Sequence, residues 1–321
     1  DAIDRFVVDD DRIARATLSD VDFDHIGTLG GLTDGCQRVL GIEPGESAMG
    51  DTAHTGGHAR GDNRTLEAKI CDSLFTLGPC EQPPMSVTFD FSGRVALVTG
   101  AGGALGSAIA TGFADAGATV AAVDIVEPES EDFLLDPDHE HIEVYQSDFT
   151  DEPRVKSTIE QIVTDHGGID YLANVAGTWR GGTPIAETDV DTFEFLFDVN
   201  LKTMFLASKH ALPYLREREG SIVSVSARSS LEGGEGDGIY RASKAGVRLL
   251  TETIAEEHLG TVRANAVMPS VIDTPMNREM MPDADHETWV DPVEIADVVQ
   301  FLCSDAAGAT SGAAVPAYGE A

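Results

Sequence analysis

From Arg94 onward the chain alternates short apolar runs with segments of helical period, and few folds accept that pattern. A strand that is apolar at every position needs cover on both faces, and parallel sheets obtain it from crossover helices. Residues 95–98 read as a buried first strand, and Leu105, Ile109 and Phe113 continue at helical spacing as far as Gly117. Strands are expected at 119–123, 141–145, 170–173, 221–225, 262–267 and 313–317. Helices are expected over 152–166, through Phe193, Leu196, Val199 and Phe205, around Tyr240 and Lys244, and over 292–304. The expected fold class is α/β: one doubly wound parallel sheet in a single domain spanning residues 85–321.

The first 84 residues read differently. They are rich in Gly, Asp and Thr, lack apolar periodicity, and end in Cys80-Glu-Gln-Pro-Pro84 just before Met85. They are expected to form a low-structure, disordered extension, with Met85 as the natural start. The cluster His54, His58, Cys71 and Cys80 fits no zinc-ligand spacing, so no metal is expected. Four cysteines in 321 residues suggest no disulfide framework. Without an apolar run of transmembrane length or a signal peptide, a cytoplasmic protein with no membrane partner is expected.

The net charge is −35, from 21 basic and 56 acidic residues. Residues 85–321 carry 14 and 40 of these, so the acid load covers the α/β region itself. Lysines number only five: Lys69, Lys156, Lys202, Lys209 and Lys244. Such self-repulsion destabilises a compact chain in dilute salt and is screened in concentrated salt, where the Debye length is ~3 Å at 1 M. This is expected of a protein from a salt-rich cytoplasm. No basic stripe is present to neutralise phosphates, so nucleic acid is not an expected partner.

Two motifs carry chemistry. The first strand runs directly into Thr99-Gly-Ala-Gly-Gly-Ala-Leu-Gly106 and a helix. Glycines there let backbone approach a pyrophosphate at the helix N-terminus. Asp124 ends the second strand, where an acid accepts from adenosine ribose hydroxyls and repels a 2′-phosphate. NAD is therefore expected, with NADP disfavoured; the alternative role of Asp124 is to cap the turn that follows. The second motif is Tyr240-Arg-Ala-Ser-Lys244. Residues at i and i+4 share a helix face, and bringing a tyrosine pKa from ~10 to about 7 needs roughly 4 kcal/mol. One positive charge ~4 Å away at an effective dielectric of ~20 supplies about that much.

These residues resemble the short-chain dehydrogenase/reductase family over about 91–319, which implies a Rossmann-type fold and nicotinamide chemistry. The family's glycine turn matches at Thr99, Gly100 and Gly106, with Ala104 in place of its middle glycine while Gly102 and Gly103 keep the turn permissive. Leu105 falls within the same turn. Its Asn-x-Ala-Gly matches Asn174, Ala176 and Gly177, and Asp148 stands where the family contacts adenine. Pro269, Ile272 and Thr274 fit the segment that folds over the nicotinamide. The catalytic set implied is Tyr240 as proton donor and acceptor, Lys244 lowering its pKa and holding the nicotinamide ribose, and Asn200 holding a relay water. The family's serine, 13 residues before the tyrosine, falls on Ala227; Ser226 is one residue early and serves if the strand end bulges, and Ser229 is a further candidate.

A narrower likeness points to dihydropteridine-reductase-like members, where that serine is also missing. It rests on Ala227–Gly234, Asp273-Thr-Pro-Met-Asn-Arg278, Met281–Asp285 and Trp289, with Trp179 and Trp289 able to stack on a flat heterocycle or merely to pack under loops. Residues 272–290 would form a lid over a small-molecule substrate. Three readings stay open: an NAD-dependent oxidoreductase for carbonyls or alcohols, a quinonoid dihydropterin reductase, and a non-catalytic dinucleotide sensor. The family also implies a homodimer or homotetramer paired through the long helices after the fourth and fifth strands.

Overall fold

The computed structural model describes residues 88–320. The expectations for residues 1–84, including the His54–Cys80 cluster, and for Met85 lie outside the described residues. Seven strands form one parallel sheet: β1 (Val95–Thr99), β2 (Thr119–Asp124), β3 (Ile142–Gln146), β4 (Tyr171–Asn174), β5 (Ser221–Val225), β6 (Arg263–Pro269) and β7 (Ala314–Ala317). Their order is β3-β2-β1-β4-β5-β6-β7. Chain direction of travel reverses between β1 and β4, which opens a crevice at the carboxyl ends of those strands.

The helices are α1 (Ala104–Asp115), α2 (Glu152–His166), α3 (Val190–Phe197), α4 (Thr203–Glu217), α5 (Gly238–Glu257), α6 (Pro275–Met280) and α7 (Pro292–Cys303). Side chains of successive strand residues enter opposite layers, as the pleat requires. Ala96 and Val98 of β1 join Ile109, Phe113, Ile295, Val299 and Leu302 of α1 and α7 on one face. Leu97 joins Ile159, Ile162, Leu206, Ala211 and Leu215 of α2 and α4 on the other. Phe91, Phe113 and Tyr171 stack under the first layer with ring centroids 5.1–5.8 Å apart. Burial of each such ring contributes about 1.5–3 kcal/mol.

Local chemistry sets the helix ends. Asp151 accepts from the Arg154 amide at the start of α2, which stops at Gly167 with φ +80°. Asp291 caps α7 through the Val293 amide, with Pro292 at its first turn. At the base of the sheet, Asp170 is 1% exposed and accepts from both Arg94 and the Val95 amide, joining β1 to β4.

Two stretches depart from regular helix. The β2–β3 crossover, residues 125–141, is a chain of turns; two prolines and seven acids leave it no helical run, yet Phe133 and Leu135 enter the core. The long helix after β4 is broken by a π-helical turn, Asp198–Lys202, between α3 and α4. Such turns are frequent at functional sites. The buried residue of this turn is Asn200.

Candidate active site

The glycine turn between β1 and α1 is shaped by contacts that exclude side chains. A Cβ on Gly106 would lie 1.9 Å from the Gly100 carbonyl oxygen. Gly100 has φ +66°, and a Cβ there would lie 2.7 Å from the Ala176 Cα. The turn and the Asn174–Gly177 loop therefore meet backbone to backbone at the crevice. Thr99 ties them, its hydroxyl oxygen accepting from the Val175 and Ala176 amides at 3.1 and 3.2 Å. Leu105 packs inward from α1, so it supports the turn from behind. Such a cradle, closed to Cβ atoms and set at a helix N-terminus, fits a dinucleotide pyrophosphate.

Asp124 performs the capping role that was its alternative. Its two oxygens accept from the Gly102 amide at 2.8 Å and the Val126 amide at 2.9 Å. A carboxylate offers about four acceptor sites, so capping leaves capacity for ribose hydroxyls. Asp148 likewise accepts from the amide and hydroxyl of Thr150, and the hydroxyl's hydrogen bond holds its carboxyl below the usual range. Asn174 donates to Ser208 and Ser224, locking β4 to α4 and β5.

Lys244 and Asn200 converge on Gly177, where a Cβ would lie 2.8 Å from Lys244 Nζ and 3.0 Å from Asn200 Oδ1. Asn200 accepts from the Thr178 amide at 2.7 Å and donates to the Thr178 carbonyl and to Ser243 Oγ, both at 3.0 Å. Ser243 in turn donates to the Tyr240 carbonyl at 2.7 Å. This serine went unnoticed in the sequence; its signal is its place three residues after Tyr240, one turn along the same helix face.

The Tyr240–Lys244 pair differs from the expectation set by its spacing. Lys244 Nζ donates to the Val225 carbonyl at 2.9 Å, and burial lowers its pKa to about 8. Tyr240 is pushed up to about 12, by desolvation first and then by the charge of Asp237. Burial, rather than the i,i+4 ammonium, dominates the phenol, so at neutral pH it carries its proton. The lysine has a stability consequence. The unfolded chain keeps it protonated up to about 10.5 whereas the folded chain releases the proton near 8. Between those pH values the unfolded state binds more protons, so this group's contribution to stability rises with pH, by about 3 kcal/mol in all. Denaturant unfolding of the wild type against Lys244→Met across that window should show the difference growing in the wild type's favour; a flat difference contradicts the buried charge.

Ser226 continues β5 without a bulge and faces α5. It is 2% exposed and its hydroxyl donates to the Lys244 carbonyl at 2.8 Å. Its proton is thus used within the fold, which makes it a brace for α5 and a poor clamp for a substrate carbonyl. Ala227 follows with extended backbone. Ser229 engages through its backbone, its carbonyl accepting from Arg241.

The segment after β6 is pinned at its two stems. Ile272 bridges Val290, and the Asp273 amide donates to the Val290 carbonyl at 2.8 Å. Thr274 caps α6 through the Asn277 amide, and Asp273 pairs in two hydrogen bonds with Arg278. The Asp273–Arg278 motif therefore holds its own segment together. Pro269 ends β6 beneath it. Trp289 packs on His286 with centroids 4.4 Å apart, while Trp179 is 44% exposed beside Gly181. A cavity of about 110 Å³ lies at the start of α5, lined by Arg180, Thr183, Thr188, Thr192, Asp237 and Ile239 among others. Among the described residues no cluster of metal-ligating side chains occurs, and no helix is long and apolar enough to cross a membrane.

The chain is similar to known proteins. The family model for short chain dehydrogenase matches residues 94–285. The 3-oxoacyl-[acyl-carrier-protein] reductase of Thermotoga maritima is 35% identical over 233 residues, covering 68% of this chain and 94% of that protein. The meso-2,3-butanediol dehydrogenase of Serratia marcescens is 31% identical, covering 72% and 95%. Among solved structures, a glucose/ribitol dehydrogenase from Brucella melitensis is 30% identical with a TM-score of 0.67, covering 73% of this chain and 98% of that one. With its parallel sheet, glycine cradle and Tyr-x-x-x-Lys helix, the chain belongs to the short-chain dehydrogenase family.

Proposed function

We propose that the protein is an NAD(H)-dependent oxidoreductase that interconverts a carbonyl and an alcohol, with Tyr240 as proton donor and acceptor. The observation that carries this is the convergence of Lys244 and Asn200 on Gly177 at the crevice, one helix turn from a protonated Tyr240. The residues that would hold the cofactor are the turn Gly100–Gly106, Asp124 and Asp148 at the adenosine end, Ala176, Gly177 and Lys244 at the nicotinamide ribose, and Pro269, Ile272 and Thr274 above the ring. When bound, the nicotinamide supplies the hydride. Tyr240 delivers a proton to the nascent alkoxide in the reducing direction. Lys244 fixes and electrostatically steadies the phenolate left behind, and Asn200 holds the Thr178 backbone in place and positions a relay water.

Asp124 supports NAD over NADP, since its carboxylate repels a 2′-phosphate. Phe193, Phe205 and Leu249 on α3, α4 and α5 are each more than two-fifths exposed, which supports a homodimer or homotetramer through these helices. The charge of −35 supports a salt-rich cytoplasm as its setting.

A second reading, reduction of a quinonoid dihydropterin, is favoured by one observation. Ala227 leaves the strand end without the carbonyl clamp, and Ser226 is tied to α5. The experiment is an NADH-oxidation screen in molar salt, setting ketones and 3-oxoacyl thioesters against quinonoid dihydropterin. Turnover of ketones or thioesters at least about tenfold faster is expected. Preference for the pterin selects the second reading, and NADH binding without any turnover selects a dinucleotide sensor.

A further inference from the structure

The β2–β3 crossover meets the glycine turn at Gly102, beside Asp124. The Gly102 amide donates to Asp124 Oδ2 at 2.8 Å, while the Gly102 carbonyl accepts from the Leu134 amide, also at 2.8 Å. Both polar backbone groups of this glycine are therefore held, one by the ribose-facing acid and one by the crossover. The Phe133 ring is seated on its α-carbon: a Cβ at Gly102 would lie 2.4 Å from that ring and 3.1 Å from Asp124 Oδ2. Phe133 is 8% exposed and belongs to the same core layer as Ala101 and Leu105 of the turn.

Amide turns at Ser130 and Phe133 fold the crossover back on itself, so Phe133 reaches Gly102 from a self-supporting loop. Its neighbours Glu127, Glu129, Glu131 and Asp132 are exposed. Phe133 and the Leu134 amide thus supply from a loop the rigidity that fixes two groups at once, a cradle amide and a carboxylate. Groups that must be held within about 0.5 Å to bind well need this kind of backing.

We infer that residues 127–135 are a strap that positions the adenosine end of the cofactor site, with Phe133 and the Leu134 amide holding Gly102 and Asp124 in their binding geometry. Phe133 is a positioning residue, acting through Gly102 and Asp124. The inference rests on the oxidoreductase reading, since it assumes a dinucleotide in the cradle.

The test compares two ligands on the full chain in molar salt: NADH, and reduced nicotinamide mononucleotide, which lacks the adenosine half. Phe133→Ala removes the ring. Leu134→Pro removes the amide donor at a side chain that is 52% exposed, so it leaves no core cavity if the ring variant fails to fold. In fluorescence titrations, either folded variant should weaken NADH binding about tenfold and leave the mononucleotide within about twofold. Equal weakening of both ligands, or unchanged NADH binding, overturns the strap. A wild-type chain that binds neither ligand removes the oxidoreductase reading, and the strap with it.

Discussion

Tyr240→Phe should lower turnover by about a thousandfold while NADH binds within about twofold of the wild type. The substitution keeps the ring, so the packing of α5 against the crevice persists, and removes only the hydroxyl. That hydroxyl is protonated at neutral pH, because desolvation and Asp237 together hold its pKa near 12. It is thus a competent donor in the reducing direction. Lys244, whose pKa is lowered to about 8, sits one turn along the helix. Retained turnover would remove Tyr240 from the proton step, whereas lost NADH binding would make its role one of cofactor contact.

The same turn should respond very differently to the same substitution at two of its glycines. Gly106→Ala would place a Cβ 1.9 Å from the Gly100 oxygen and 2.8 Å from the Ala101 Cα, all of it backbone. No rotamer relieves such a contact, so the turn must open and the cradle amides lose their aim. Overpacking of this kind amounts to about 1–3 kcal/mol, and NADH binding should weaken about a hundredfold. At Gly103 the nearest atom to an added Cβ is the Gly100 oxygen at 3.6 Å, an ordinary contact. Gly103→Ala should therefore bind NADH within about threefold. Equal effects at the two positions, measured by titration, would mean that the turn does not form the cradle.

The strands were legible because buried parallel strands are rich in apolar residues, and β1, β2 and β5 each carry a short apolar run that is buried along its length. Observed ends differ from the expected ones by one or two residues, as at β6, which runs on to Pro269. The glycine turn was also legible, because close backbone approach admits no other residue at Gly106. What escaped the sequence depends on contacts between distant segments. Nothing local marks Phe133 as the ring that seals Gly102, since the partner lies 31 positions back. The π turn that carries Asn200 arises where α3 meets α4, within an unbroken helical period. The i,i+4 rule put Lys244 and Tyr240 on one face but not the Val225 carbonyl that the ammonium faces. Spacing carried the pair; burial, which spacing does not report, set both pKa values.

Hydride transfer at a site where Tyr240 moves the proton is the proposed reaction. Its most direct measurement is turnover with NADH carrying deuterium at both C4 positions, in molar salt, with the product analysed by mass spectrometry. One deuterium on the carbon that was the carbonyl is the expected result, with none gained when Tyr240→Phe is used for the same time. Product that carries no deuterium from the cofactor, or equal labelling by the wild type and Tyr240→Phe, would contradict it.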